Sequence, residues 1–387
     1  MGSVSQNAYI AGIYEHPTRK AVDKSMGQLY FEIAQGAVAD AGLWLSDVDA
    51  FYCDTDAPGL GPLSIIEYLG IEVRHYDNTD VGGSAPMVHL SHAAQAIAAG
   101  KCNVALVTLA GKPRTGGRGL DKQPNWGVPE MAFESPYASG VVDQYAMSAM
   151  RHMYEFGTTA EQLAWVKVAA SHHAQHNPHA MLRDVVTVEQ VLGSVMIADP
   201  LHKLDCCVVS DGGGAFVVVS QEIARQLKRP RVRLRGAGEA IRDLRGGTAD
   251  ITSSGAVVSG ATAFAEAGVK PSDIKYASLY DSFTITVLIQ LEDLGFCGRG
   301  QGGAFVADGK LISGVGKLPI NTDGGGLCSN HPANRGGMTK ILEAVRQLRG
   351  EAHPAVQVPN CDLALAHGTG GWLASRHGSA TVILERE

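Results

Sequence analysis

Three side chains in the last part of the chain have types that could act together on a carbonyl compound. His331 and His367 each lie in a glycine-rich segment, and Tyr280 precedes them. A histidine N–H can hold a developing oxyanion, and a tyrosine hydroxyl can take part in proton transfer. A phenol has a pKa near 10, and the adjacent Asp281 carboxylate would raise it, so Tyr280 would need a special environment to act as a base. Each residue also has a structural interpretation: His331 as a loop histidine, His367 as a structural histidine and Tyr280 as a core aromatic.

Cysteine and serine residues offer candidate nucleophiles. Cys328 lies three residues before His331 in a glycine-rich loop, so it is a candidate for a nucleophile at an unusual position. Ser84 has no histidine at a recognisable spacing, and we expect it to cap the helix that follows it. The seven cysteines form no CxxC pair and no spacing typical of a zinc site. A histidine cluster offers further nitrogen ligands: His172, His173, His176 and His179.

Composition and charge exclude several classes of partner. The chain has 32 Lys and Arg against 39 Asp and Glu, and its net charge of −7 disfavours nucleic acid. No run reaches the roughly 18 apolar residues of a membrane span. Residues 1–6 lack the basic and apolar regions of a signal peptide. The scattered cysteines indicate a reducing compartment, so we predict a cytoplasmic protein.

The order of apolar runs and amphipathic segments predicts a layered α/β architecture. An internal repeat supports this: Ala39-Asp40-Ala41-Gly42-Leu43 with Ser46-Asp47 recurs as Ala265-Glu266-Ala267-Gly268-Val269 with Ser272-Asp273. A second pair of helices ends at Gly100 and Gly350. Two repeats in the same order indicate duplication. We predict halves at 1–235 and 236–387, with an inserted functional region at about 112–200 in the first half.

The motifs together resemble the thiolase superfamily, and within it the sterol-carrier-protein-type thiolases. The resemblance covers nearly the whole chain and rests on four segments: Gly157-Thr158-Thr159-Ala160-Glu161-Gln162-Leu163-Ala164 before Asn177-Pro178, Ser210-Asp211-Gly212-Gly213-Gly214-Ala215, Asn330-His331-Pro332 with Gly336-Gly337, and His367-Gly368-Thr369-Gly370-Gly371. It implies a five-layer α-β-α-β-α thiolase fold with two pseudo-symmetric halves, a homodimer and acyl-CoA substrates. It also places the histidine cluster in the insertion-loop helix, so we predict no metal site.

The chain departs from the family pattern at the residues that form the acyl-thioester. The family's nucleophilic cysteine falls on Gly83, counting back from Gly100. Its HDCF segment matches Tyr280-Asp281-Ser282-Phe283, so a histidine and a second catalytic cysteine are missing. The family's enolate-stabilising histidine matches His331, with His367 on the adjacent loop. The resemblance therefore implies His331, Tyr280 and His367 as catalytic residues and the following as substrate-binding residues: Gly83, Ser84, Ser282, Cys328, Asn330 and Gly370.

Cysteine-less relatives in this branch are aldolases, which leads to three hypotheses for function. The first is retro-aldol cleavage of a β-hydroxyacyl-CoA to a ketone or aldehyde and a shorter acyl-CoA. The second is a β-ketoacyl-CoA thiolase or acyltransferase with Cys328 as a displaced nucleophile, and the third is a non-catalytic acyl-CoA-binding scaffold. We expect a CoA thioester as substrate and no cofactor bound in this chain.

Two further expectations concern the substrate and the assembly. The glycines at 82–83 and 324–326 suggest extra room for a bulky steroid side chain or aromatic substrate. Tyr137, Asp143 and Tyr145 are candidates to line the acyl pocket. Many cysteine-less members of the branch work with a small separate subunit that has an OB fold and a zinc ribbon. The resemblance therefore implies such a partner for this chain.

Overall fold

A computed structural model describes residues 7–116, 140–243, 248–373 and 375–387. The predicted absence of a signal peptide concerns residues 1–6, which lie outside this set. The strands are β1 (Ala8–Glu15), β2 (Ala50–Tyr52), β3 (His75–Asp77), β4 (Val104–Gly111), β5 (Met196–Ala198), β6 (Leu201–His202), β7 (Gly212–Ser220), β8 (Val232–Arg242), β9 (Tyr276–Leu279), β10 (Leu363–Gly370) and β11 (His377–Arg386). The α-helices are α1 (Met26–Asp40), α2 (Pro62–Leu69), α3 (Ala85–Ala98), α4 (Val141–Phe156), α5 (Ala160–Ala174), α6 (Val188–Leu192), α7 (Gln221–Ala224), α8 (Ala256–Ala267), α9 (Thr284–Asp293), α10 (Gly302–Val306) and α11 (Gly336–Arg349).

The internal repeat has the same local structure in both copies. Helix α1 is followed by Gly42 and α8 by Gly268, and the two glycines have φ values of 72° and 66°. A left-handed residue at this position ends a helix, and glycine adopts it without a steric cost. Each copy then forms one turn of 3₁₀ helix, in which Asp47 or Asp273 accepts a backbone hydrogen bond at 2.8 Å. The repeated turn therefore has a shared structural basis in glycine and aspartate.

The main sheet has nine strands in the order β3-β2-β4-β7-β1-β8-β11-β10-β9. If strands are numbered within each half, the first half has the order 3-2-4-5-1. Ile320 forms an isolated parallel bridge to Ala277 of β9, so its segment lies beyond β9 at the edge of the sheet. Numbered in the same way and starting from that segment, the second half also has the order 3-2-4-5-1, which ends with β9, β10, β11 and β8. The order therefore repeats, as the predicted pseudo-symmetry requires. The halves join where β1 pairs with β8, for example Tyr9 with Arg233, and the division predicted after residue 235 falls inside β8.

Three apolar cores separate the layers. One core packs α1 on the outer face of the first-half strands, and another packs α8 and α9 on the outer face of the second-half strands. The central core contains α3 and α11 between the two sets of strands. This arrangement confirms the predicted α-β-α-β-α fold. Within the described part of the chain, no helix is both long and apolar enough to cross a membrane.

Helices α4 and α5 of the insertion predicted at about 112–200, which lie between β4 and β7 in the chain, pack on the second half. Tyr145 of α4 lies in the same core as α9. On α5, the buried Lys167 donates a hydrogen bond of 2.6 Å from Nζ to the carbonyl oxygen of Leu327. The insertion therefore contacts the loop that leads to His331. Tyr137, a sequence candidate for the acyl pocket, lies outside the described residues.

Candidate active site

The candidate site lies where the N-termini of α3 and α11 meet the carboxyl ends of β9 and β10. A Cβ added at Gly337 would lie 1.9 Å from the carbonyl oxygen of Gly83, and one at Gly370 would lie 1.8 Å from that of Val81. A Cβ at Gly368 would lie 2.5 Å from the Gly83 oxygen. Only glycine permits such close approach of backbone segments. The glycines of the predicted motifs therefore allow the two halves to pack closely at the site.

The Tyr280 ring fills the space beside Gly83. A Cβ at Gly83 would lie 2.3 Å from Tyr280 Cε2, so the phenol occupies the position of any side chain there. The Tyr280 N–H donates to the His367 carbonyl at 3.1 Å, and Gln290 Nε2 donates to the Tyr280 carbonyl at 2.8 Å. Its hydroxyl lies 3.4 Å from the Ala333 carbonyl oxygen. Burial raises the pKa of Tyr280 well above its usual value, and nearby Tyr145, Cys207 and Asp281 raise it further.

His331 lies directly beside this phenol. The His331 and Tyr280 ring centroids are 5.3 Å apart, with the rings edge to face. The backbone N–H of His331 donates to Ser210 Oγ at 2.8 Å, while its buried ring Nε2 has no hydrogen-bond partner among the described residues. Burial lowers the pKa of His331 to about 4. His331 is therefore a neutral imidazole at pH 7.

Asn330 fixes the loop that carries His331 through hydrogen bonds of its side chain. Its Oδ1 accepts a hydrogen bond of 2.7 Å from Ser210 Oγ, and its Nδ2 donates to Glu15 Oε1 at 2.9 Å. Asn330 is fully buried. The structure thus gives this residue, predicted to bind substrate, the hydrogen bonds of a structural support for His331.

The His367 ring lies on the other face of β10. Ala366 belongs to the central core and Leu365 to the outer core, and side chains alternate along a strand. His367 therefore faces outward, where its Nδ1 lies 2.8 Å from Thr381 Oγ1, which lies 3.0 Å from Ser259 Oγ of α8. The structure does not bring this ring to Tyr280 and His331, contrary to the catalytic role expected from the sequence. The contribution of His367 to the site is its carbonyl group.

Ser282 lies just before α9, and Tyr145 of α4 packs against the start of that helix. Ser282 Oγ is 3.1 Å from Thr286 Oγ1, and the ring of Tyr145 packs on Phe283 with centroids 4.3 Å apart. The Tyr145 hydroxyl lies 3.4 Å from the Gly371 carbonyl oxygen. This places Tyr145 near the candidate site.

Ser84 and Asp143 have local backbone partners. Ser84 Oγ donates to the Val81 carbonyl at 2.6 Å, and its side chain makes no capping hydrogen bond to α3, which corrects the predicted cap. Asp143 accepts the Gly140 N–H at 3.1 Å. These contacts give both side chains structural roles at the ends of helices.

Cys328 is fully buried in the outer core of the second half. Burial raises the pKa of its thiol, although the hydrogen bond and charge of Lys167 oppose that shift. A raised pKa and the lack of access disfavour a reactive thiolate. Within the described residues, no group of three or more His, Cys, Asp or Glu side chains could hold a metal ion. From the histidine cluster, His173 Nε2 accepts the Ser313 N–H at 2.9 Å.

The extra room expected at the glycines is absent. The space beside Gly83 contains the Tyr280 ring, and a Cβ at Gly324 would lie 2.6 Å from Ala174 Cβ. A Cβ at Gly326 would lie 2.8 Å from His331 Cδ2. These glycines serve close packing, so they carry no information on substrate size.

Some residues that hold Tyr280 and His331 in place were not predicted from the sequence. Ser210 lies within one of the four motif segments, but its bond to the His331 backbone was not foreseen. Gln290 is a polar residue in the apolar run of α9, and that contrast is a signal for a buried hydrogen-bond role. Lys340 has no comparable local signal, because it pairs with a residue distant in sequence.

Comparisons with known proteins place the chain in a family. Residues 238–386 match the family described as Thiolase C-terminal domain-like. A steroid side-chain-cleaving aldolase from Thermomonospora curvata is 39% identical over 89% of this chain and 90% of its own length. A 17-hydroxy-3-oxo-4-pregnene-20-carboxyl-CoA lyase from Mycobacterium tuberculosis is 36% identical over 90% of this chain and 92% of its own.

A solved structure, the Ltp2-ChsH2(DUF35) aldolase, has a TM-score of 0.88 and 35% identity, with 98% of each chain covered. Each of these similarities covers 89% or more of this chain. The chain therefore belongs to the thiolase superfamily, and within it to the sterol-carrier-protein-type aldolase branch.

Proposed function

We propose that the protein catalyses retro-aldol cleavage of a β-hydroxyacyl-CoA with a steroid side chain, yielding a ketone or aldehyde and a shorter acyl-CoA. The observation that carries this proposal is the Tyr280 ring in the space beside Gly83, next to the neutral His331. A site with no nucleophile at that position but with two proton-bearing groups suits cleavage without an acyl-enzyme. The names of the aldolase and lyase relatives support the reaction and the steroid substrate.

In this proposal, His331 stabilises the enolate. Breaking the bond between the α and β carbons leaves negative charge on the thioester oxygen. A neutral imidazole donates an N–H to that oxygen and gives the largest benefit when the charge has developed. The pKa of about 4 keeps His331 neutral across the physiological range. It therefore donates without itself carrying a charge to be neutralised.

Tyr280 moves the proton. Its raised pKa keeps the phenol neutral, so it does not act as a phenolate base. A neutral phenol can instead accept the β-hydroxyl proton while it gives its own proton to the α carbon of the enolate. The electrons of the O–H bond form the carbonyl, and those of the broken carbon–carbon bond pass into the enolate and then the new C–H bond. Tyr280 begins and ends the cycle unchanged, so no co-reactant is needed.

The assembly and location form part of the proposal. The CoA thioester is the substrate, and the chain works as a homodimer with a small OB-fold and zinc-ribbon subunit. The name of the solved Ltp2-ChsH2(DUF35) aldolase joins two components, which supports a two-component enzyme here. The cysteines of the described residues are free thiols, which fits the predicted cytoplasmic location. Size-exclusion chromatography of the co-expressed subunits tests the complex, and a homodimer that turns over unaided contradicts the need for the partner.

Product analysis tests the reaction. The chain, alone and with the small partner, is incubated with β-hydroxyacyl-CoA and β-ketoacyl-CoA steroid substrates, each with and without free CoA. We expect cleavage of the hydroxy compound without free CoA. Cleavage of the keto compound only when CoA is added would instead identify a thiolase. Retained acyl-CoA binding in wild type, His331→Ala and Tyr280→Phe, with no turnover in any of them, would identify a scaffold.

A further inference from the structure

A buried carboxylate beside Tyr280 has no role in the proposed chemistry. Asp281 is fully buried, and its Oδ1 accepts hydrogen bonds from Gly326 N at 2.8 Å and Lys340 Nζ at 2.7 Å. Its Oδ2 accepts the Leu327 N–H at 3.1 Å. One carboxylate thus binds two backbone amides of one turn and an ammonium group on α11. A buried charge is stable only with partners of this kind.

The turn that Asp281 holds lies against His331. Residues Gly325–Ser329 form a π-helical turn, and a Cβ at Gly326 would lie 2.8 Å from His331 Cδ2. There is similarly little space on the α11 side, where a Cβ at Gly336 would lie 2.9 Å from the same atom. The His331 ring therefore rests between the turn and the first residue of α11.

Lys340 connects the two elements that lie on either side of the His331 ring, the π-helical turn and α11. It lies on α11, is 1% exposed, and pairs with Asp281 across the central layer. The ion pair thereby ties together the chain segment that carries Tyr280, the turn and α11. A shift of any of these elements would change the position of the His331 ring relative to the Tyr280 hydroxyl.

We propose that Asp281 and Lys340 are positioning residues that hold His331 against Tyr280, and that their opposite charges are required for this. The inference rests on the proposed function for its effect on the rate. The inference also predicts that the charges of Asp281 and Lys340 act on the His331 ring. This effect does not depend on which reaction the protein catalyses. The negative charge of Asp281 favours the protonated His331, and the positive charge of Lys340 disfavours it.

Three variants test the pair: Asp281→Asn, Lys340→Met and the double variant. Removing one partner leaves an unpaired buried group, whereas the neutral double variant lacks that penalty and should fold. We expect each folded variant to lose at least tenfold in kcat with KM changed less than threefold. The double variant should regain thermal stability without regaining kcat. A matched control is Lys310→Met, which removes an exposed lysine.

Nuclear magnetic resonance of the His331 ring separates positioning from a merely structural role. Its signals are assigned with His331→Gln at pH 7, where the fold is stable. Because the two charges act on the ring with opposite sign, we expect Lys340→Met and Asp281→Asn to shift the His331 ring resonances in opposite directions. Shifts of the same sign in both variants, no shift in either, or a wild-type kcat in the folded double variant would overturn the inference. If wild type cleaves no β-hydroxyacyl-CoA, the proposed function fails, yet opposite shifts would still establish the electrostatic coupling.

Discussion

The ring of Tyr280 lies in the space that a side chain at Gly83 would need, since a Cβ there would be 2.3 Å from Tyr280 Cε2. The two residues belong to different halves of the chain and meet only in the central layer. A side chain at position 83 and a tyrosine at position 280 in this orientation exclude one another. This orientation of Tyr280 thus requires glycine at position 83.

The Gly83→Ala variant should therefore be impaired in both folding and catalysis. The added methyl group would force the Tyr280 ring aside, at a cost of about 1–3 kcal/mol in the free energy of unfolding. A displaced phenol should lower kcat on the order of 10²-fold. Urea unfolding and steady-state kinetics measure both effects. Gly27→Ala is the control, because its Cβ would meet no atom closer than 3.6 Å; equal behaviour of the two variants would contradict this prediction.

Tyr280→Phe should separate the hydroxyl group from the ring. The ring still fills the space beside Gly83, and the lost hydroxyl contact is long at 3.4 Å, so the melting temperature should change little. Loss of the proton-transfer group should lower kcat by about 10²–10⁴-fold. Tyr276→Phe is the matched control, since Tyr276 is also buried but lies on β9 away from Gly83. A Tyr280→Phe enzyme with normal kcat would eliminate the phenol from the mechanism.

The two histidines of the predicted site should behave differently. His331→Gln should lose most of kcat, because its unpartnered Nε2 is the group that we assign to the thioester oxygen. His367→Gln should retain kcat, because the His367 ring bonds to Thr381 on the outer face of β10. Steady-state kinetics on the two folded variants, with melting temperatures recorded in parallel, checks this difference. A large kcat loss in His367→Gln without loss of stability would return that ring to the catalytic site.

Cys328→Ala should leave kcat at the wild-type level. The thiol is fully buried and burial raises its pKa, so it is not available as a nucleophile. Iodoacetamide should accordingly fail to modify Cys328 in the folded enzyme, as mass spectrometry of the peptides would show. The urea-unfolded protein, in which Cys328 is exposed, provides the reference for labelling in the same experiment. Labelling of Cys328 with loss of activity, prevented by acyl-CoA, would support a thiolase.

The protein should lose stability steeply as the pH falls below about 6.5. Burial lowers the pKa of several described histidines, to about 4 for His89, His173, His331 and His377 and about 3 for His367. A folded-state pKa below the unfolded value means that the unfolded chain binds more protons between the two values. Each such group then contributes stability above pH 6.5 of roughly 3 kcal/mol, which is lost toward pH 4. Burial raises the pKa of Asp54 and Asp293 to about 6 and that of Asp323 to about 7, so these three carboxyl groups offset part of the loss.

One histidine opposes this trend and serves as an internal check. A hydrogen bond to Asp77, together with Glu239, raises the pKa of His92 to about 9, so its contribution is present below pH 6.5 and lost as the pH rises through 9. Urea unfolding at pH 5, 6 and 8 measures how the free energy of unfolding falls as the pH is lowered. His377→Phe should make the loss of stability between pH 8 and pH 5 smaller. His92→Gln should lower stability at pH 5 and 6, with an effect that fades as the pH rises toward 9. Equal stability at pH 5 and 8 would contradict the assignment of neutral buried histidines.

Much of the fold and part of the site could be predicted from local sequence. The repeated turns at Asp47 and Asp273 and the helix ends at Gly42 and Gly268 depend on neighbouring residues, so their patterns were visible in the chain. The absence of a cysteine at position 83 was visible too, because it follows from counting along one helix. These features required no knowledge of what packs against them.

The tertiary structure alone decided how the site residues meet. The Tyr280 ring beside Gly83, the outward face of His367 and the pairing of Asp281 with Lys340 join segments far apart in the chain. The pKa shifts of His331 and Tyr280 follow from burial, which is a property of the packed layers. Sequence therefore determined the elements and the missing nucleophile. Packing between the halves determined which side chains share one space and which protons they hold.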